Sequence, residues 1–469
     1  MKNHRKETDT VMKKVRIGAA QGFYGDTIEP AVATAKKGDV QYICFDALAE
    51  LTMAILKKDQ MKNEKAGYTK DISLQMKALL PYVREKGIKL LTNAGGINPE
   101  GAQQEIIRVA EELGMDDLKV AVVTGDNVLH RIDEFQDRGI SLNHLETDQP
   151  IETVKDKLVF ANAYIGARPI VKALESGADI VVTGRTTDTA QFLAPLIHEF
   201  GWGEEEWDRL ASGVFMGHLL ECSAQSTGGN FSGNWWEIEG FDRIGYPIAE
   251  FSENGDFTVS KVEDRGGLVT VDTVKEQMLY EIHDPANYIT PDVVVDITNV
   301  QLENTGPNKV KVTGTRGKPR PETLKVVMGY ENGYTGQVMV GFSWPDPLKK
   351  ARKVDEIIRK QIKQRGLDYD EVRTDFVGYN SLHGPLAHEY EEDLNEIYLR
   401  MAVRAKTKKE AAKFSRLFPP LALNGPPTMS GFTGNTAPRA LIGMWSALIP
   451  RELVEDHIQI KNVEVSAIG

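Results

Sequence analysis

The stretch GADIVVTGRTTDTA, residues 177–190, decides the fold class of this chain. Its first half is a continuous apolar run, and its second half replaces bulk with glycine, hydroxyls, an arginine and an aspartate. A continuous apolar run is typical of a strand that is covered on both faces, as in a parallel sheet flanked by helices. A small polar turn after such a strand lies where ligands approach parallel sheets.

Four earlier stretches repeat this pattern of an apolar run that ends in small or polar residues. They are VRIGAA (15–20), YICFDAL (42–48), IKLLTNAGG (88–96) and LKVAVVTGD (118–126). Helical segments separate them, such as PEGAQQEIIRVAEELG (99–114), which has proline in its first turn and glycine at its end. Strands that alternate with helices at this spacing predict βαβ units. We therefore predict a mostly parallel, doubly wound α/β sheet domain over residues 15–285.

The texture of the sequence changes after residue 285. Several strand-like runs follow one another, including KVKVTGT (309–315) and QVMVGFSW (337–344), before the helical segment DPLKKARKVDEIIRKQIKQRG (346–366). Grouped strands with a few helices predict a smaller α+β domain over residues 286–469. Residues 1–14 are polar and are expected to form a flexible N-terminal tail.

Composition restricts the classes of partner. The chain has 469 residues and a formal net charge of −12, and it contains two cysteines. An acidic surface disfavours nucleic acid and anionic membranes, which both attract basic faces. Few cysteines favour a reducing compartment, and no segment has the length of a signal peptide core or a bilayer span. We expect a cytoplasmic protein without nucleic-acid or membrane partners.

The ends of the predicted strands carry the residues that suggest a binding site. Arg185 presents a two-pronged donor beside the hydroxyls of Thr186 and Thr187, which suits a carboxylate or a phosphate. Asp188 either orients Arg185 or caps the next helix. Because parallel strands end at one edge, we expect one cleft, although turn and capping chemistry also explains each loop alone. The other predicted binding residues of this edge are Asn93, Gly95, Gly96, Gly125 and Asp126.

A second constellation lies in HLLECSAQSTGGNFSG, residues 218–233. His218 and Cys222 are four residues apart, so on a helix they share a face and form a candidate nucleophile pair. The alternative is that Cys222 is a small buried apolar residue. The glycine-rich segment Gly228, Gly229 and Asn230 is predicted to cradle a ligand.

Several familiar signatures are missing from the sequence. It has no C-x-x-C or H-E-x-x-H pattern, no P-loop and no G-x-G-x-x-G after the first strand. We therefore assign no metal ligands, and the cofactor stays unknown. A carboxylate-bound Mg²⁺ remains an open alternative because such sites leave little trace in a sequence.

Six stretches carry a resemblance to a known family, from GFYGD (22–26) and FDALAELTMAIL (45–56) to the run that begins at YPIAEF. In these stretches the chain resembles the AtuA-like family, named for acyclic terpene utilisation. The resemblance covers most of residues 15–450. It implies a place in branched acyl-CoA catabolism, such as the degradation of citronellol and geraniol, but it carries over no catalytic residues. Glu50, which lies in the second of the resembling segments, joins Arg185, Asp188, His218 and Cys222 as a candidate catalytic residue. The resembling segments are GFYGD, FDALAELTMAIL, LLTNAGGINPE, GADIVVTGRTTDTA, GHLLECSAQSTGGNFSG and the run from YPIAEF to YITPDV.

Three functions stay open at this point. The first is an enzyme that acts on a branched acyl-CoA or a related carboxylate in a lyase or hydratase step, with a small anionic substrate. The second is a non-catalytic assembly or regulatory partner of the same pathway, and the third is a phosphate-ester or nucleotide enzyme. Convergence of polar side chains in one deep pocket would favour an enzyme. We also expect a homo-oligomer.

Overall fold

Strands and helices alternate through the first half of the chain. The computed structural model describes residues 12–389, 393–433 and 437–466. The predicted tail, residues 1–14, lies mostly outside them, and the first strand already begins at Lys14. None of the described helices is long and apolar enough to cross a membrane.

The elements are numbered here in chain order. The strands are β1 (Lys14–Gln21), β2 (Tyr42–Phe45), β3 (Lys89–Thr92), β4 (Lys119–Thr124), β5 (Leu158–Ala163), β6 (Ile180–Thr183), β7 (Ile248–Ser252), β8 (Phe257–Ser260), β9 (Tyr288–Ile289), β10 (Val294–Asp296), β11 (Gln301–Gly306), β12 (Lys309–Thr313), β13 (Arg316–Lys318), β14 (Thr323–Ser343), β15 (Glu371–Val377), β16 (Glu396–Ala405), β17 (Met429–Thr433), β18 (Arg439–Pro450) and β19 (Gln459–Glu464). The helices are α1 (Glu29–Lys37), α2 (Glu50–Lys62), α3 (Ile72–Lys86), α4 (Pro99–Glu112), α5 (Ile132–Asp137), α6 (Arg168–Glu175), α7 (Ala190–Phe200), α8 (Trp207–Glu221), α9 (Val271–Leu279), α10 (Pro347–Gln364), α11 (Lys408–Ser415), α12 (Leu421–Asn424) and α13 (Glu452–Glu455).

The described residues form two compact units. The first comprises residues 12–153, 160–328 and 445–466, and the second comprises residues 154–159 and 329–444. This division differs from the boundary expected at residue 285. The reason is strand pairing: β12 lies beside β8, with Val310 opposite Val259, so the strands after residue 285 extend the sheet of the first unit.

The first unit contains a ten-stranded sheet with a parallel centre. Its order is β11-β12-β8-β7-β1-β2-β3-β6-β4-β19. The five central strands β1, β2, β3, β6 and β4 pair in parallel, and these are the five apolar runs singled out in the sequence. A mostly parallel sheet is not confirmed for the ten strands together, because β7, β8, β12 and β11 on one side and β19 on the other pair antiparallel. The fold is a mixed α/β fold.

Helices cover both sides of the parallel centre. Every residue of β2 and of β6 is buried. Ile43 and Phe45 join a core cluster with residues of α1, α3 and α4. Cys44, which points the other way in the alternation of a strand, donates to the carbonyl of Gln191 in α7. The right-handed crossovers of a doubly wound sheet stay a prediction.

The second unit is built on an antiparallel sheet of order β15-β16-β14-β17, with β5 and β18 also pairing with β14. Along β16 buried and partly exposed residues alternate, as expected for a sheet with one covered face. Its apolar face packs on α10 and α11, and a core forms around Val340, Leu399, Ile358 and Phe414.

Candidate functional site

A row of buried polar side chains lies where the five parallel strands end. Gln21 closes β1, Asp46 and Asn93 follow β2 and β3 directly, and Asp126 and Arg185 come two residues after β4 and β6. All five are at most 7% exposed. Burying a polar group lowers the stability of a fold unless the group is hydrogen-bonded. The partners of these five side chains therefore decide whether they serve structure or ligand binding.

Asp126 connects two of the predicted loops. Its Oδ2 accepts the backbone N–H of Arg185 at 2.8 Å and the side-chain amide of Asn162 at 2.7 Å. Burial raises the pKa of Asp126 to about 6, against these hydrogen bonds, which lower it. A Cβ at Gly184 would lie 2.5 Å from the same carboxylate, so only glycine fits before Arg185. The buried carboxylate of Asp126 therefore fixes the backbone of the loop after β6.

Arg185 is held almost entirely by the protein. Its Nη1 donates to the carbonyl of Leu48 at 2.7 Å and to Asp188 Oδ1 at 3.0 Å. Its guanidinium also stacks over the ring of Tyr164, with Cζ 4.0 Å from the ring centre. Its Nε is buried and has no hydrogen-bond partner in the described part of the chain. Arg185 therefore serves to order the loop and Asp188, and its role as a direct ligand contact stays a prediction.

Three carboxyl groups approach one another at this edge. Asp46, Asp188 and Glu221 each offer an oxygen, and these oxygens all lie within 4.8 Å of one another. Asn93 donates to Asp46 Oδ1 at 2.6 Å and accepts the N–H of Ala47, which fixes the Asp46 side chain. Burial, followed by the charges of Asp188 and Glu221, raises the pKa of Asp46 well above its usual value.

Glu221 belongs to a second buried pair, with His218. The Nδ1 of His218 lies 3.0 Å from Glu221 Oε1, and its Nε2 lies 2.8 Å from the carbonyl oxygen of Gln277. A carbonyl only accepts, so Nε2 carries a proton. Burial lowers the pKa of His218 to about 4, while burial and then the charges of Asp188 and Glu281 raise the pKa of Glu221. Both ring nitrogens of His218 are therefore engaged.

The predicted nucleophile pair of His218 and Cys222 does not form. α8 ends at Glu221, so Cys222 has left the helix, and His218 bonds Glu221 instead. Burial, followed by the charges of Glu221 and Asp46, raises the pKa of the Cys222 thiol far above its usual value. A thiol in this state is a poor nucleophile, because the thiolate is the reactive form.

A cavity of about 470 Å³ opens beside these groups, entirely within the first unit. Thr187 and Asp188, from the loop after β6, border it. Its polar lining also includes Tyr164, His218, Glu221, Glu281 and Lys325, and its apolar lining includes Leu145, Ile282, Ile289, Pro291, Leu324 and Leu448. The lining of the cavity thus combines charged and hydroxyl-bearing side chains with aliphatic ones.

Glu50 and Lys325 form an ion pair, and Lys325 lines this cavity. Glu50 Oε1 accepts from Lys325 Nζ at 2.7 Å and from the Tyr164 hydroxyl at 3.0 Å. Burial raises the pKa of Glu50, but Lys325 and Tyr164 outweigh it and hold the pKa below its usual value. Glu50 is therefore an ionised partner of Lys325, a role unlike that of a proton donor.

The predicted glycine contacts are with the protein itself. A Cβ at Gly95 would meet the carbonyl oxygen of Thr183 at 2.4 Å, and at Gly125 it would meet that of His457 at 2.6 Å. Gly96 is equally confined, by Leu56. Of the two predicted hydroxyls, that of Thr186 accepts a hydrogen bond from Gln191, and only Thr187 borders the cavity.

Gly228, Gly229 and Asn230 lie apart from this cavity. Gly229 and Asn230 line a smaller one, together with Gln225 and Glu276. A hydrogen-bonded chain still connects them to the site: Asn230 donates to Gln225, Gln225 donates to Gln277, and Gln277 donates to the backbone oxygen of His218. The segment is therefore linked by hydrogen bonds to the end of α8.

Sequence reasoning missed four residues that define this site. Asp46 follows its strand just as Asn93 follows β3, so the same rule could have found it. Glu221 was visible three residues after His218. Tyr164 directly follows β5, and Lys325 lies in β14. They are 161 residues apart in the sequence, and no local pattern indicates that they lie close together.

The fold and the site define a mixed α/β protein with a cavity of mixed polar and aliphatic lining, next to the loop that follows one of the central parallel strands. A family model described as acyclic terpene utilisation family protein AtuA matches residues 15–460. The chain belongs to this family. No curated protein and no solved structure matches it.

Proposed function

We propose that this protein is an enzyme of acyclic terpene catabolism that acts on a branched acyl-CoA or a related carboxylate in a lyase or hydratase step. The family match supports the pathway. The observation that carries the proposal is the mixed lining of the cavity, in which carboxyl groups, a lysine and a tyrosine occur together with aliphatic side chains. Its volume of about 470 Å³ is in the range of small-molecule sites.

The aliphatic lining fits a branched hydrocarbon chain. Leu145, Ile289, Leu324 and Leu448 come from four separate segments and present aliphatic side chains to the cavity. Transfer of branched carbons from water to such a surface is favourable by roughly 25 cal/mol per Å² of apolar area. Acyclic terpenes and the acids derived from them consist largely of such branched carbon, so this lining supplies affinity without needing polar contacts.

The polar lining fits a carboxylate or a thioester carbonyl. Of the described residues that line the cavity, Lys325 alone is a lysine or arginine, and its charge is shared with Glu50. Lys325 has N–H groups beyond the one bonded to Glu50 and can donate to an incoming oxygen, whereas the hydroxyl of Tyr164 already donates to Glu50. This assignment replaces Arg185, whose donors are directed at Leu48 and Asp188.

The chemistry of addition or removal of water, or of carbon–carbon cleavage, requires proton transfer near a carbonyl. Asp188 and Glu221 face the cavity and provide carboxyl groups there. In this proposal the two carboxyl groups act at the reacting end of the ligand, and its branched tail contacts the aliphatic lining residues. Polar convergence of this kind favours the enzyme over the non-catalytic alternative.

Turnover assays test the proposal. The purified protein is incubated with branched and straight-chain acyl-CoAs and with their free acids, and products are identified by mass spectrometry. We expect gain or loss of water, or cleavage, with a branched member, and a large fall in kcat for Asp188→Asn. The control is Asp242→Asn, whose side chain is 79% exposed. If a folded wild-type protein converts no member, the non-catalytic alternative replaces the enzyme.

A further inference from the structure

We infer that Asp46, Asp188 and Glu221 hold a hard divalent cation, Mg²⁺ or Mn²⁺, beside the cavity. The oxygens of these three residues lie within 4.8 Å of one another. Around a Mg²⁺ ion with bonds of about 2.1 Å, neighbouring oxygens are about 3 Å apart and opposite ones about 4 Å apart. Small side-chain rotations therefore convert the observed cluster into part of a coordination sphere.

The charge of the cluster points to a cation. Asp46 and Glu221 are buried, and the side chain of Asp188 is 37% exposed. Within the described part of the chain, Arg185 is the cation bonded to this cluster, and of the three carboxyl groups it bonds Asp188. Lys325, the other nearby cation, is paired with Glu50. A divalent ion balances the two remaining carboxylates, which without a cation repel each other in a buried site and are driven towards protonation.

Glu221 gives a second indication that a ligand belongs here. Its side chain is 6% exposed, and its Oε1 is bonded to His218. Its Oε2 is buried, yet it has no hydrogen-bond partner among residues 12–389, 393–433 and 437–466. A buried carboxylate oxygen without a partner is costly, and it is typical of a site that binds an ion. Glu221 also lines the cavity, so the unpartnered group lies beside it.

The donor set selects the kind of ion. Three carboxylate oxygens suit Mg²⁺ or Mn²⁺, whereas zinc and copper sites in proteins favour imidazole and thiolate. The nitrogens of His218 are engaged, and the thiol of Cys222 is held neutral by its surroundings. Three protein ligands leave further positions for water and substrate, and a carbonyl oxygen bound there would be polarised.

Asn93 and Arg185 would act as positioning residues for this ion. Asn93 holds Asp46 by its side-chain amide, and Arg185 holds Asp188 by its Nη1. Such supporting hydrogen bonds orient metal ligands in proteins generally. Asn93 and Arg185, which the sequence suggested as ligand contacts, would thus bind the ion indirectly by orienting its ligands.

Cation binding without substrate tests this inference. The protein is stripped with EDTA and titrated with Mn²⁺, and free Mn²⁺ is followed by electron paramagnetic resonance. We expect one Mn²⁺ per chain, displaced by Mg²⁺, and affinity lower by at least roughly tenfold in Glu221→Gln and in Asp188→Asn. The glutamine can still donate to His218, and Asp188 is the most exposed member, so these variants preserve folding. The control is Asp292→Asn, a buried carboxylate outside the cluster.

Two results overturn the inference. One is an absence of Mn²⁺ binding at millimolar concentration in the folded wild-type protein. The other is binding that Glu221→Gln and Asp188→Asn leave as tight as in the Asp292→Asn control. The role of the ion in catalysis rests on the proposed function, whereas the location of the ion does not. Mn²⁺ binding without turnover refutes only the enzyme, and turnover that is unaffected by EDTA in a protein that binds no Mn²⁺ refutes only the ion.

Discussion

At the scale of single residues, Arg185 shows how a side chain that looks like a ligand contact becomes part of the scaffold. Its guanidinium joins the carbonyl of Leu48, the carboxylate of Asp188 and the face of Tyr164. These three groups come from different parts of the chain. Replacing the arginine leaves all of them without their partner.

Substitution of Arg185 is therefore expected to act on stability. Loss of Arg185 leaves the buried carbonyl of Leu48 without its donor, which typically costs about 1 to 3 kcal/mol, whereas Asp188 is 37% exposed and can be solvated. Arg185→Ala should lower the free energy of unfolding by an amount of this order, and Arg185→Lys should lower it less, since lysine keeps the charge but loses the planar fork. Urea unfolding measures both. Variants as stable as wild type that bind ligand more weakly would return Arg185 to the role of a direct ligand contact.

Asp126 predicts a pH dependence of stability. In the unfolded chain its pKa is near the usual value of about 4, whereas in the folded protein burial raises it to about 6. Below pH 4 the group is protonated in both states. Between pH 4 and 6 the unfolded chain ionises first, so the group removes stability as the pH rises, on the order of 2 to 3 kcal/mol in total.

The variant Asp126→Asn isolates this contribution, because an amide does not titrate. Relative to the variant, wild type should lose melting temperature as the pH rises from 4 to 6.5 and should then keep a constant difference. Thermal unfolding of both proteins at half-unit steps of pH gives the comparison. Two melting curves that shift in parallel over this range would show that Asp126 ionises normally in the folded protein.

At the scale of the elements, the turns after the parallel strands are shaped by close packing. The turn after β3 brings Gly95 against the end of β6 and the start of α4. Its Cβ position lies 2.4 Å from the carbonyl oxygen of Thr183 and 2.6 Å from the Cα of Pro99. Backbone atoms on both sides cannot move aside as a flexible side chain could.

Gly95→Ala should accordingly destabilise the fold by roughly 1 to 3 kcal/mol, the usual cost of overpacking. Gly203→Ala is the matched control, since the nearest atom to its Cβ position is Glu206 Oε2 at 3.8 Å. The melting temperatures of the two variants should separate clearly. Equal melting temperatures, together with weaker ligand binding by Gly95→Ala, would restore the glycine to the role of a ligand contact.

The elements that could be predicted from sequence are those with local signals. The five parallel strands were recognisable because each is a continuous apolar run that ends in a polar turn. The antiparallel strands β7, β8, β12 and β11 were not recognised as members of this sheet, because pairing partners far apart in sequence leave no local pattern. The same reason explains β19, which returns from the end of the chain to pair with β4.

The candidate site shows the same limit. Asn93, Asp126, Arg185 and Asp188 were found because they follow strands, although the structure gives the first three supporting roles. Lys325 and Tyr164 reach the cavity only through tertiary folding. The helical spacing of His218 and Cys222 was read correctly as far as α8 continues, but the helix ends one residue before the cysteine.

At the scale of the whole molecule, the first unit alone contains the cavity and its polar groups. Every lining residue falls in residues 12–153, 160–328 or 445–466, so the last segment of the chain completes a site begun by the first. Leu448 and Leu145, about 300 residues apart in sequence, line the same cavity. A ligand that binds there should therefore stabilise the unit as a whole, because it contacts segments from both ends of the chain.

The central claim is that this cavity binds a branched acyl ligand by its carbonyl or carboxylate end at Lys325. The most direct test is a calorimetric titration of wild type and Lys325→Met with a branched acyl-CoA and its free acid, with Lys275→Met, on the exposed side of α9, as the control. We predict binding by wild type and by the control, and a loss of roughly tenfold to a hundredfold in affinity for Lys325→Met, since a hydrogen bond to a charged group contributes about 1.5 to 3 kcal/mol. Equal affinity in all three proteins, or no binding of any branched acyl ligand by folded wild type, would contradict the account.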